Sequence, residues 1–247
     1  SVSAKDGGTF SGTIAAAGYS STTAGSSNYI AGVNAGNSIQ AGATQNTVVG
    51  DEAGTAITTG DQNTFVGNIA GDALTEGSSN VAMGYFALST ETHGSNSTAI
   101  GRGALARQVN GSATNTYNTA VGAQAGVNVT TGIYNTLIGG LAGDAFTDAD
   151  YNVAVGTQAL SLDTQGSRSV AIGHAVLQSQ NFTSATDAYN TAVGFSAGTS
   201  ATTGVQNTLI GGLAGDAITT ATDNVAVGHE ALTTSITGGD NVAIGGK

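Results

Sequence analysis

Apolar residues recur along this chain in a five-residue phrase that opens with Asn or Ser and closes with Gly. Copies include residues 46–50 (NTVVG), 118–122 (NTAVG) and 241–245 (NVAIG). The phrase is rich in Val, Ile and Thr, and its glycines recur too often for a helix interior. Each copy therefore predicts a short β-strand.

The phrase glycines follow a fixed spacing of 17 residues, lengthened to 21 at every fourth step. They are Gly50, Gly67, Gly84, Gly101, Gly122, Gly139, Gly156, Gly173, Gly194, Gly211, Gly228 and Gly245. Four spacings make a 72-residue module, and residues 135–145 accordingly recur at 207–217. Fixed-period repeats of this length predict stacked coils, each contacting only its neighbours.

The pattern divides the chain into two parts. Residues 1–45 form an irregular N-terminal segment with one decayed coil at 28–32 (NYIAG), and residues 46–247 form the repeat array of three modules, the last truncated. We expect an all-β parallel solenoid of two-strand coils. Twelve or thirteen coils at about 4.8 Å spacing give a rod roughly 60 Å long.

Both faces of the predicted strand carry apolar residues. The fourth position of the phrase is always large, as in Val49 and Ile172, and we assign it to the coil interior. The third position is also apolar and is mostly Ala, as in Ala154. A strand with one face in water alternates apolar and polar residues, so this pattern predicts that identical chains cover the third-position face.

Some phrases resemble a known family of repeats. Residues 97–101 (STAIG), 169–173 (SVAIG) and 241–245 (NVAIG) resemble the repeats of YadA-like heads in trimeric autotransporter adhesins. The 17-residue form at 118–132 is similar to arrays in phage tail fibres. The resemblance covers residues 46–247 and implies a left-handed parallel β-roll, a homotrimer and an extracellular, cell-surface or virion location.

Composition narrows the choice of class and partner. The chain has 39 Gly but no Pro or Cys, which excludes collagen, and its apolar residues recur in register, which argues against disorder. The net charge is −11, with 5 basic against 16 acidic residues. We therefore expect no nucleic-acid partner, and direct binding to acidic glycans or anionic lipid is disfavoured. The sequence has no apolar run long enough to insert into a membrane.

Apparent catalytic motifs are parts of ordinary coils once the repeat is taken into account. Residues 194–198 (GFSAG) match the nucleophile elbow, but the elbow needs a following helix and a His–acid pair. Residues 101–106 (GRGALA) match a dinucleotide fingerprint without its helix. His93, His174 and His229 fall on different coils. We expect neither an enzyme nor a cofactor.

Three aspartates recur at the module period: Asp72, Asp144 and Asp216. One interpretation is a ring of carboxylates from three chains that holds a divalent cation. The other is a turn in which Asp bonds local backbone N–H groups, and we favour it.

Large side chains line up just before the phrase in successive coils. They are Tyr117, Tyr134 and Tyr151, followed by Arg168, and they predict an aromatic stripe that ends in a cation. The stripe is a candidate ligand-binding surface or a self-stabilising ladder. The four-residue expansions at 108–114 and 178–186 are the other candidate, because loops on a rigid scaffold often carry binding sites.

These patterns predict a non-enzymatic, trimeric fibre segment that attaches an adhesin or a phage tail to a surface glycan or protein. A structural spacer or filament subunit is the alternative. An ice-binding solenoid is less favoured, because the pairs Thr58–Thr59, Thr130–Thr131 and Thr202–Thr203 occur once per four coils.

Overall fold

A computed structural model of the chain describes residue 25 and residues 27–234 and 237–246. The described chain is a parallel β-solenoid in which one sheet of thirteen strands runs along the rod, without any helix. No described helix is therefore long and apolar enough to cross a bilayer. The predicted coil count and strand positions are confirmed. The N-terminal prediction for residues 1–24 lies outside the described residues.

The main sheet has one three-residue strand per coil. In chain order these strands are β1 Tyr29–Ala31, β2 Thr47–Val49, β3 Thr64–Val66, β4 Val81–Met83, β6 Thr98–Ile100, β8 Thr119–Val121, β9 Thr136–Ile138, β10 Val153–Val155, β12 Val170–Ile172, β14 Thr191–Val193, β15 Thr208–Ile210, β16 Val225–Val227 and β17 Val242–Ile244. All neighbours pair in parallel with equivalent phrase positions opposite each other, as Ala154 lies opposite Ala171.

Within the described residues, a second strand forms only beside the 21-residue coils. β5 Gly94–Ser95 pairs with β7 Thr114–Asn115, and β11 Gly166–Ser167 pairs with β13 Thr186–Asp187. The expectation of two strands in every coil is therefore wrong. The rest of each coil consists of turns whose backbone groups bond to the adjacent coils, as Gly54 N–H donates to Ala70 O.

The assignment of the two strand faces from the sequence is wrong. The third phrase position points into the coil, and its side chains from Val48 to Ala226 are fully buried. The second and fourth positions point outward and are half-buried or exposed, as Ile172 is 39% exposed. Ala154 is thus a core residue, and the outward surface is formed by Thr, Val, Ile and Met.

The large core side chain comes from the strand in some coils and from the following turn in others, which explains why Ala is common on the strand. Where the strand carries Ala82, a buried Leu88 from the following turn fills the interior. Where the strand carries Phe65, the equivalent turn residue is Gly71, and a Cβ there would lie 2.6 Å from the Phe65 ring. In these coils the narrow interior holds one large side chain or the other.

The phrase glycine is required by both its conformation and its surroundings. Gly156 has a φ of 137°, and a Cβ on it would lie 2.2 Å from the carbonyl oxygen of Gly173 in the next coil. The predicted corner, with left-handed φ and close backbone approach, is confirmed.

The first phrase position forms a buried hydrogen-bonded ladder along the rod. The Oδ1 of Asn135 accepts from the backbone N–H of Asn152 at 3.0 Å and from its Nδ2 at 3.2 Å. The Nδ2 of Asn135 donates across the coil to Ala149 O at 2.7 Å. Each Asn therefore ties its own coil closed and also binds the next coil.

The 21-residue coils repair this ladder where Ser replaces Asn. Gln108, which is fully buried, donates to Ser97 Oγ at 2.7 Å and accepts from Asn118 Nδ2 at 2.9 Å. Gln180 makes the equivalent bridge between Ser169 and Asn190. The four extra residues thus place a Gln amide where the shorter Ser side chain leaves the ladder incomplete. This explains why every fourth coil is longer and hence the 72-residue module.

Candidate functional site

The predicted aromatic stripe lies on the corner that precedes the main strand. Tyr117, Tyr134, Tyr151 and Arg168 have φ between 48° and 63°, the left-handed region. Their backbones are held by the preceding coil, as Tyr134 N–H donates to Thr116 O at 2.7 Å. A corner of this shape turns the side chains out of the rod, and the three tyrosines are 41–49% exposed.

The stripe is a continuous stack. The ring centroids of Tyr117 and Tyr134 are 5.4 Å apart, and those of Tyr134 and Tyr151 are 4.9 Å apart with planes 5° from parallel. The Arg168 guanidinium lies 4.9 Å from the Tyr151 centroid. The coil spacing of about 4.8 Å imposes this separation on any stacked aromatic residues. The structure therefore brings all four predicted residues together.

The stack continues beyond the residues found from the sequence. Arg168 also lies 6.0 Å from the Tyr189 ring centroid, and its Nε donates to Asp187 Oδ1 at 2.8 Å. The hydrogen bond and the charge of Asp187 raise the pKa of Arg168, so the cation is retained. Equivalent corner positions elsewhere carry Gln45, Gln62, Ser79, Asn96, Gln206, Asp223 and Asp240. The stack of five is thus local to the middle of the rod.

Asp72, Asp144 and Asp216 lie four coils apart and do not meet within one chain. In each of them Oδ1 is buried without a hydrogen-bond partner. Burial raises the pKa of Asp72 to about 6. A hydrogen bond from the backbone N–H of Asp72 lowers this pKa, and the negative charge of Glu52 raises it further. Burial raises the pKa of Asp144 in the same way. Within the described ranges no three His, Cys, Asp or Glu residues gather where they could hold a metal ion. The ring between chains stays a prediction.

The expanded segments are anchored from inside. Gln108 and Asn110 of the first segment are buried and bind the buried Glu91, whose Oε2 accepts from Asn110 Nδ2 at 2.8 Å. In the second segment Gln180 and Phe182 are buried. The tips at residues 111–113 and 183–185 are exposed, as are Val109 and Asn181. The observed role of these segments is to complete the core.

Two further surfaces were missed from the sequence. One is the outward face of the main sheet, where the second and fourth phrase positions form two columns. The other is a groove of about 350 Å³ over the corner that follows the strand, lined by Tyr85, Phe86, Arg102 and Arg107. The sequence does carry a signal for this groove. The two residues after the phrase glycine are Tyr85 and Phe86 in one coil and Arg102 and Gly103 in the next, a combination that no other pair of consecutive coils has.

No protein-family model, curated protein or solved structure matches this chain. The likeness to YadA-like heads and phage tail fibres therefore stays a prediction from the repeat phrases.

Proposed function

We propose that this chain is a segment of a non-enzymatic, extracellular fibre in which three identical chains associate side by side and attach to a surface. The observation that carries the proposal is the outward face of the thirteen-stranded sheet. Its two columns hold Thr or Val in the second position and Val, Ile or Met in the fourth, with no charged residue from β2 to β17. Met83, Ile138, Ile172 and Ile210 are 39–41% exposed.

The size of this face supports an interaction surface. Twelve strands at about 4.8 Å and two columns about 7 Å apart give an apolar band of roughly 400 Å². Monomeric proteins seldom expose a larger contiguous apolar patch unless it binds something. The band supplies about half of the area of about 800 Å² that each partner contributes to a standard interface.

A second and third copy of the chain are the occupants that fit best. The columns run parallel to the rod, so a symmetry axis along the rod brings like positions of identical chains to the same height in every coil. With two columns on one face, each chain can contact two neighbours. Burial of Val and Ile methyl groups then adds about 25 cal/mol per Å² along the whole length.

The aromatic stack supports attachment to a glycan or protein. Tyr117, Tyr134, Tyr151 and Tyr189 remain about half exposed although they stack on one another and on Arg168. Aromatic residues and Arg supply much of the binding energy at protein interfaces, because they offer contact area with few rotatable bonds. The corner positions outside this region are polar, which supports recognition rather than a ladder needed in every coil.

Light scattering of an outward-face variant tests association. The parent should have a mass of three times 23.9 kDa, about 72 kDa. Ile172→Glu should give a folded chain of single mass, because a carboxylate on the apolar face resists burial. Thr157→Glu, at an exposed position two residues after β10, is the matched control and should remain trimeric. A parent that is a stable monomer contradicts the proposal.

The same face supplies a second candidate, ice binding. Thr and Val alternate irregularly in the second column, so methyl groups repeat along the sheet at about 4.8 Å. This candidate requires the face to remain open to water. Thermal hysteresis in a monomeric parent would favour ice binding, and its absence in a trimer would favour the fibre.

A further inference from the structure

The groove near Gly103 lies where one side chain is missing from a column of equivalent corner positions along the rod. The second residue after the phrase glycine has a left-handed φ in every described coil, from Asn34 to Glu230. Gly103 N–H donates to Tyr85 O, and Gln124 N–H donates to Arg102 O, so Phe86, Gly103 and Gln124 occupy consecutive coils. Among the described coils, only Gly103 lacks a side chain at this position.

Neither conformation nor packing requires this glycine. Phe86 and Gln124 adopt φ of 62° and 59° at the same place, close to the 68° of Gly103. A Cβ on Gly103 would meet only Gln124 Cγ at 3.8 Å and Val127 Cγ2 at 3.9 Å, which are ordinary contacts. The missing side chain instead leaves about 10 Å, two coil spacings, between Phe86 and Gln124. The groove lies over this gap, and Gly103 is buried beneath it.

The groove walls combine aromatic and cationic groups. The ring centroids of Tyr85 and Phe86 are 5.7 Å apart with planes tilted by 37°, and both rings are substantially exposed. Arg102 and Arg107 are exposed and line the same groove. In the part of the chain that the structure describes, no carboxylate pairs with either guanidinium. Their donors are available to a ligand.

Local charge also differs from that of the whole chain. The charged residues that line the groove are Arg102 and Arg107, whereas the whole chain carries −11. The acids nearby in the coil register are Glu91 and Asp144, which lies one coil beyond the lining residue Val127. Glu91 is fully buried, and its Oε1 accepts from the backbone N–H of Gly94 at 2.7 Å. Charges farther away than about 8 Å are largely screened at physiological salt. The charged side chains that line the groove are therefore both positive, although the chain as a whole is acidic.

We propose that the groove over Gly103 binds a carboxylated sugar ring. The guanidinium groups of Arg102 and Arg107 would hold the carboxylate, since Arg forms paired hydrogen bonds with that group. The negative faces of Tyr85 and Phe86 suit the C–H face of a pyranose. The Gln124 amide offers a donor and an acceptor to hydroxyl groups. A volume of about 350 Å³ is near the lower limit for ligand pockets, which suits one ring.

Ligand-observed NMR with glucuronate tests the proposal on the intact chain. Glucuronate should bind, while glucose and acetate, which each carry half of the recognition chemistry, should bind at least about tenfold more weakly. Added salt should weaken glucuronate binding. Equal binding of acetate and glucuronate, or of glucose and glucuronate, would overturn the proposal.

Two variants locate the binding at this groove. Gly103→Gln places in the gap the same side chain that the next coil carries at Gln124, and it should abolish binding. Arg107→Gln removes the positive charge but keeps a polar side chain, and it should reduce affinity at least about tenfold. Thr157→Gln, at the exposed position equivalent to Arg102 in a coil outside the groove, should bind as the parent does.

The proposal does not depend on association of the chains. Melting temperature and light scattering of each variant accompany the NMR measurement. Parent-like binding by folded Arg107→Gln would refute the assignment. A change of mass in Arg107→Gln would show that the groove is a contact between chains and would also refute it.

Discussion

Removal of one rung of the asparagine ladder gives a quantitative test of how the coils are held together. In Asn135→Ala, the backbone N–H of Asn152 loses its acceptor and the carbonyl of Ala149 loses its donor, and both residues are fully buried. A buried polar group without a partner costs about 1–3 kcal/mol. Two such groups give an expected loss of roughly 2–6 kcal/mol in unfolding free energy.

Asn68→Ala is the matched control. Asn68 makes one side-chain bond at the surface, donating to Asp51 O at 3.1 Å, and that carbonyl also accepts from Ile69 N–H at 3.0 Å. The same chemical change there should alter the unfolding free energy by no more than about 0.5 kcal/mol. Urea denaturation monitored by circular dichroism compares the two variants.

Hydrogen exchange locates the effect. Because each coil contacts only its neighbours, amides around Asn135 and Asn152 should lose protection before those at the ends of the rod. If Asn135→Ala and Asn68→Ala unfold within about 0.5 kcal/mol of each other, the ladder does not stabilise the fold as argued.

A serine substitution at position 135 distinguishes the loss of the ladder hydrogen bonds from the loss of side-chain volume. Ser97 and Ser169 occur naturally because Gln108 and Gln180 reach into the gaps. No such amide accompanies Asn135, so Asn135→Ser should destabilise the chain nearly as much as Asn135→Ala.

Three further outcomes follow from the core, the buried aspartates and the stack. Ala154→Glu places a carboxylate inside the coil and should unfold the chain, seen as loss of the β-sheet circular dichroism signal, rather than only prevent association. Because the folded pKa of Asp72 is raised to about 6, its stabilising contribution is complete below its usual 3.8 and lost as pH rises through 6. Asp72→Asn should therefore raise the melting temperature at pH 7.5 and not at pH 4, and EDTA should change neither value. Replacing Tyr134 and Tyr151 by Ser should abolish attachment to the target surface while the melting temperature stays within a few degrees; early unfolding would make the stack structural.

Periodicity in the sequence determined the solenoid, its strands and its corners. The reason is local and repeated: a residue such as Gly156 combines left-handed φ with a backbone contact that excludes Cβ, and only glycine satisfies both. The alignment of Tyr117, Tyr134 and Tyr151 also follows from register alone, because the coil spacing brings equivalent residues together.

Which strand face lies inside was decided only by the tertiary structure. Both faces are apolar, so alternation carries no information, and the sequence predicts Ala154 as a contact between chains. The interior is filled partly by turn residues such as Leu160, which leave room only for Ala on the strand. The sequence does not show how far those turns reach into the coil.

The hidden polar network and the groove depended equally on three-dimensional placement. The insertion of Gln108 between Ser97 and Asn118 joins residues 11 and 10 positions away in sequence, outside the repeat period. The space over Gly103 exists because consecutive coils place side chains on either side of it. Register predicts which residues are neighbours along the rod, but the direction of each side chain at a corner comes from the folded backbone.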